Sequence, residues 1–94
     1  MLKTLCFGEV LWDIFGDNEH IGGAPFNVAA HLSKLGCSSY LISRTGHDAR
    51  GKAVFGELKK NGIIPEYIQI DMGHETGYAK VTLDEKGVAS YQFP

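Results

Sequence analysis

Residues His20–Gly36 read HIGGAPFNVAAHLSKLG: two adjacent glycines, an alanine and a proline lead straight into an amphipathic run that carries one asparagine in its first turn. Pro25 suits the first helical position, where the N–H it lacks has no intrahelical partner. Val28, Leu32 and Leu35 recur at i, i+4 and i+7, Ala29 and Ala30 allow close backbone packing, and Gly36 suits the position after a helix end. The spacing predicts a core-facing helix ending at about Leu35.

Elements of strand character lie on both sides of it. Upstream, LKTLCF (Leu2–Phe7) reads as a buried strand stopped by Gly8, and VLWDIF (Val10–Phe15) as its continuation after a break, with GDNEH (Gly16–His20) a turn. Downstream, SSYLIS (Ser38–Ser43) is the next strand. Asp48 caps a second helix that runs to about Lys60, with Val54 and Leu58 on its apolar face, Lys59 and Lys60 at the negative end of its dipole, and Asn61-Gly62 as the stop. YIQI (Tyr67–Ile70) follows as a strand. Strand, helix, strand, helix, strand in this order predicts an α/β fold with right-handed βαβ crossovers and a parallel sheet.

The last segment has a different period. GYAKVTL and VASYQF alternate around DEKG, where Gly87 supplies the positive φ a hairpin loop needs. Tyr78, Lys80 and Thr82 are expected on one face, and Ala79, Val81 and Leu83 on the other. A parallel sheet takes helices on both faces and only two are present, so the expectation is an incomplete fold, an N-terminal portion covering residues 1–94.

Composition narrows the function classes. A chain of 94 residues that is 44% hydrophobic and 21% charged is ordinary globular material for one core. The net charge of −2, with dispersed lysines, argues against nucleic acid as a partner. No charged leader with an apolar core opens the chain, and no run approaches the ~18 apolar residues of a membrane span, so the expected address is cytoplasmic, with no membrane partner. Cys6 and Cys37 form no CxxC pair and read as buried, inert thiols. His20, His31, His47 and His74, placed in three loops and on one helix, show no H-E-x-x-H spacing, and no metal site is expected.

Two segments invite chemistry. GHDARGKA (Gly46–Ala53) fits G-x-x-x-x-G-K-[ST] except at Ala53, where the hydroxyl that would ligate Mg²⁺ is missing, and HDAR puts bulk and a carboxylate where a phosphate loop wants bare N–H groups. A turn with a capped helix is the better reading, and a nucleotide-binding phosphate loop the alternative. IGGAPFN is the other segment. Adjacent Gly22 and Gly23 let a ligand touch main chain, Asn27 offers a donor and an acceptor together, and the Asp13 carboxylate accepts from two neighbouring hydroxyls. That set suits a neutral polyol. It equally suits a tight loop with a locally satisfied amide and a solvated carboxylate, and chemistry alone leaves both open.

GGAPFNVAAHLSKLGCSSYLISRTG (Gly22–Gly46) resembles the N-terminal signature of the ribokinase-like (PfkB) sugar kinases. GEVLWDIF resembles the opening of bacterial fructokinases, and TGHDARGKAVFGELKKNGI the family's following G-x-D-x-x-G helix, so the resemblance covers essentially the whole chain. It implies a ribokinase-like fold in which segments of about 10–20 and 76–93 belong to a lid over the sugar, one that often mediates dimers. It implies that Asp13, Gly23 and Asn27 contact sugar hydroxyls, that Gly22 shapes the approach, and that Tyr91 and Phe93 lie on a strand contributing lid contacts. Gly46, Asp48 and Gly51 fit the family pattern as a structural turn and cap.

The resemblance also implies ATP and Mg²⁺ as cofactors of a full-length enzyme that phosphorylates a sugar hydroxyl, fructose being favoured. The family's aspartate base lies in a G-A-G-D segment absent from these 94 residues, so no catalytic residue, nucleotide or metal is expected on this chain, which by itself should be inactive. The alternative from another class is a non-catalytic binding module that homodimerises through its lid or exposed sheet.

Overall fold

The computed structural model describes residues Leu2–Phe93. Met1 and Pro94 lie outside them. Ten elements follow in order: β1 (Lys3–Phe7), β2 (Leu11–Phe15), β3 (Asn18–Gly22), α1 (Ala24–Lys34), β4 (Ser38–Gly46), α2 (Ala49–Lys60), β5 (Ile63–Ile64), β6 (Ile68–Asp71), β7 (Tyr78–Leu83) and β8 (Ala89–Gln92). They form two sheets.

The first sheet is parallel. β4 is its middle strand, with β1 on one side and β5 followed by β6 on the other. Pro65, which has no N–H to give a ladder, separates these last two pieces of what is otherwise one edge strand. Both crossovers advance in the same direction across the sheet, so right-handedness puts α1 and α2 on the same face. There Cys6, Leu41 and Ile63 pack with Ala29, Ala30, Val54 and Leu58 in a single core.

Because helices cover only that face, β1 is not the fully buried strand its composition promises. Cys6 points inward, while Leu5 and Phe7 on the opposite face are 65% and 79% exposed. The face of α1 also differs from expectation. Its buried stripe is Phe26, Ala29 and Ala30, Leu32 is partly buried against the core, and Val28 and Leu35 are 51% and 67% exposed. Two stripes of the same period run along this helix, and the alanine-bearing one wins because it brings the helix axis closest to the sheet.

The stops are as expected. Gly36 at φ 92° donates to the Ser33 carbonyl and Cys37 to the Leu32 carbonyl, the paired bonds of a Schellman motif. Gly62 at φ 68° ends α2 after Asn61. Cys6 is buried and Cys37 half-buried, and both are free thiols.

The second sheet has the order β3-β2-β7-β8. GDNEH is not a turn throughout. Phe15 pairs with Asn18, so only Gly16 and Asp17 form the loop, Gly16 adopts φ 58°, and Asn18–Gly22 is the return strand that carries His20. An edge strand of polar residues has no hydrophobic alternation to reveal it. β7 and β8 form the expected antiparallel hairpin, with Gly87 at φ 79°, and β7 also pairs in parallel with β2.

Register sorts this small sheet into two faces. Trp12, Ile21 and Tyr78 share the face that packs on the core. Asp13, His20, Gly22, Ala79, Val81 and Tyr91 share the other. Ala79 and Val81 are buried and Lys80 and Thr82 exposed, as the alternation requires, although Leu83 is exposed at the strand end.

Candidate functional site

Asp13 sits mid-strand in β2, half-buried, opposite His20. Its carboxylate lies over Gly22: a β-carbon built on Gly22 would fall 2.6 Å from Asp13 Oδ2. The absence of a side chain at Gly22 is therefore what gives that carboxylate its place. Among the described residues its oxygens have no hydrogen-bond or ion-pair partner, which is costly unless solvent or a ligand supplies donors.

Gly23 then turns the chain into α1. Its φ is 105°, and a β-carbon there would strike the Glu9 carbonyl oxygen, so the position is closed to other residues by both conformation and space. Gly23 is also the N-cap, and no side chain caps this helix. The Asn27 N–H closes the first turn on the Gly23 carbonyl at 3.1 Å, while the Asn27 side chain is exposed and makes no hydrogen bond among the described residues. A loop asparagine satisfying local backbone is thus not what is found.

Asp13, Gly22 and Gly23 are contiguous, and Asn27 follows one helical turn later. Tyr91 is on the same sheet face as Asp13, two strands across and two residues along, about 12 Å away by strand spacing. Phe93 lies past the end of β8 and lines a small cleft with Tyr78, Lys80 and Gln92.

The turn GHDARG is furnished differently. Asp48 Oδ1 accepts from the Gly51 N–H at 2.7 Å and the Thr76 hydroxyl at 2.6 Å, and Oδ2 accepts from the Thr76 N–H at 2.9 Å. The Thr76 hydroxyl in turn accepts from the Gly46 N–H at 2.9 Å. The Thr76 hydroxyl, and next its N–H, hold the Asp48 carboxyl below its ordinary value of 3.8. The Asp48 carboxylate stands in the turn and takes the Gly51 N–H that a phosphate would need, and Lys52 is exposed on the helix beyond. The residues do not fit a nucleotide phosphate.

No group of three or more His, Cys, Asp or Glu among the described residues is placed to hold a metal ion, and no described helix is long and apolar enough to cross a membrane. A cleft of about 410 Å³ opens at the carboxyl ends of β1, β4 and β6, walled by Glu9, Ser43, Arg44, Asp71 and His74 among others. Asp13, Gly23 and Asn27 are not in its walls. Thr76 escaped sequence reasoning altogether. The only local signal for it is a threonine before a glycine in ETGYA.

A parallel layer with both helices on one face, joined to a four-stranded side sheet carrying a glycine-lined carboxylate, is the ribokinase-like fold. Residues 3–92 match the pfkB family carbohydrate kinases, and the chain belongs to that family. It is 35% identical to the probable fructokinase-5 of Arabidopsis thaliana over 93% of its own length and 31% of that protein. The fructokinase of Vibrio cholerae O395 in apo form superposes with a TM-score of 0.89 at 28% identity, over 100% of this chain and 34% of that one. The fructokinase of Xylella fastidiosa with bound ATP gives 0.87 at 31% identity, over 97% and 30%. The chain therefore spans about a third of the length of the relatives it matches.

Proposed function

We propose that this chain supplies the sugar-binding half, with lid, of an ATP-dependent kinase that phosphorylates a fructose-like sugar on a hydroxyl. The observation that carries the reading is the unpartnered Asp13 carboxylate seated over Gly22, beside a helix start without a side-chain cap and an exposed Asn27 without a partner. Asp13 accepts from adjacent sugar hydroxyls, Asn27 both donates and accepts, and the Gly22-Gly23 main chain lets the ring approach. Tyr91, on the same face, and Phe93, just past the end of β8, are the lid contacts.

Fructose is preferred because the relatives named above are fructokinases. ATP with Mg²⁺ is the phosphoryl donor, since one of those fructokinases holds ATP. Its seat is not the Gly46–Ala53 turn, and the proton-accepting aspartate belongs to the G-A-G-D segment these 94 residues lack. Phosphoryl transfer depends on positioning and charge stabilisation at the reacting atoms, so this half alone binds without catalysing.

Calorimetric titration with fructose, ribose and a non-hydrolysable ATP analogue tests the reading. Weak fructose heat that disappears in Asn27→Ala, with none from the nucleotide, is the expected result. Fructose heat unaltered by Asn27→Ala and Asp13→Asn would move the sugar elsewhere, and robust sugar phosphorylation by the 94-residue chain would overturn the half-site assignment.

A second reading, a self-associating module, is favoured by the bare sheet face bearing Leu5 and Phe7. Sedimentation at two concentrations separates the two: a persistent monomer that binds fructose excludes self-association as the role.

A further inference from the structure

The small sheet is joined to the parallel layer at one place out of proportion to its size. The first turn of α2 and the residue that caps it, Asp48–Gly51, meet four separate parts of that sheet and its connections. Asp48 holds Thr76, which is 1% exposed and lies in the connection into β7, one residue before its end. The Arg50 carbonyl accepts from the Trp12 indole N–H of β2 at 3.1 Å. The Arg50 guanidinium bonds Glu19 of β3 at 2.7 Å and lies 5.0 Å from the ring centroid of Tyr78 of β7. Glycines keep the joint closed: a β-carbon on Gly46 would strike the backbone of His74–Thr76, and one on Gly51 the Gly46 carbonyl oxygen.

We infer that the start of α2 is the socket that positions the small sheet, with Asp48 and Arg50 as positioning residues acting through Thr76, Trp12, Glu19 and Tyr78. These contacts reach three of the four strands, and all of them fall on the core-facing side. They leave the opposite face, with Asp13 and Tyr91, free of the joint. Among the described residues the charge-assisted contacts between the small sheet and a helix converge on this one turn, so the small sheet swings about that turn when they are cut, while the parallel layer stays held by its own ladder. That the positioned face serves a sugar rests on the proposed function; the socket itself does not.

Amide hydrogen exchange on the intact chain, read together with emission from the single Trp12, tests this. Thr76→Val keeps the side-chain shape and removes the hydroxyl. Exchange in β2 and β7 is expected to rise roughly tenfold while β1 and β4 stay within about twofold, with a red shift of Trp12 emission, and Thr76→Ser is expected to restore both. Equal acceleration in the two sheets, or none in either, overturns the inference. Should Thr76→Val fail to fold, Arg50→Gln removes the Glu19 and Tyr78 contacts at a half-buried position outside the apolar core, and acceleration confined to β3 and β7 is required of it; unchanged exchange there overturns the inference. Wild-type fructose heat is recorded in the same series. Its absence counts against the sugar reading alone, because the exchange pattern needs no ligand.

Discussion

Both helices follow a strand through a glycine-bearing turn, and their first turns hold different things. At α1 the N-cap is Gly23, no side chain closes the helix start, and the nearby Asp13 and Asn27 have no partners among the described residues. At α2 the N-cap is Asp48, whose two oxygens take three donors, with Thr76 wedged against them. One start is unfilled and the other is filled by the protein itself. Of the two glycine-bearing segments that invite chemistry, only the unfilled one has capacity left for a ligand. The filled one is a joint.

The comparison breaks most visibly at Gly51. Gly51→Ala sets a methyl against the Gly46 carbonyl, which is backbone and cannot swing aside, and a loss of more than about 3 kcal/mol is expected from urea denaturation followed by Trp12 emission. Wild-type stability in that variant would mean the α2 joint is not closed.

Asp48→Ala is smaller. Losing the cap and the bonds to Thr76 is expected to cost about 1–2 kcal/mol. Its pH signature is specific: a carboxyl held below its ordinary value of 3.8 contributes stability that is complete above that value and is lost as the pH falls through the lowered one. Arg50 also favours the charged form. Urea midpoints followed down the acid limb are expected to fall less steeply in the variant than in the wild type. Parallel limbs would remove Asp48 from the account.

Asn27→Ala should change stability by no more than about 0.5 kcal/mol, because the amide has no partner to lose and alanine is the better helix former. A drop of 2 kcal/mol in the same denaturation assay would show that the α1 start is furnished after all, and the contrast between the two helices would collapse.

Much of the parallel layer can be read directly from the chain, because Cys6, Leu41, Val54 and Leu58 obey the periods of their elements and the stops at Gly36 and Gly62 have their usual backbone reasons. What cannot be read is anything decided by a neighbour distant in sequence. β3 exists because β2 offers it a ladder, and its own residues argue for a loop. The orientation of α1 turns on how near two alanines allow it to come, which larger residues on another stripe obscure. In the candidate site, Asp13, Gly22, Gly23 and Asn27 announce themselves by residue type and spacing. The contact between Asp13 and Gly22 does not, being made across a hairpin, and Thr76 meets Asp48 over a separation of 28 residues. Phe93 shows another limit: β8 ends at Gln92, so the strand's alternation does not extend to it.

The space above Gly22, filled by the Asp13 carboxylate, couples two positions that no bond connects. A β-carbon there would meet only the far end of the Asp13 side chain, which can rotate away, so Gly22→Ala leaves the chain folded while moving the carboxylate. A mutational scan scored by folding would pass over Gly22, and one scored by where position 13 points would not. Residue 22 is in effect a rotamer setting for residue 13. In a library that varies both, a larger residue at 22 is compatible only with a shorter one at 13 or with a carboxylate that faces somewhere else.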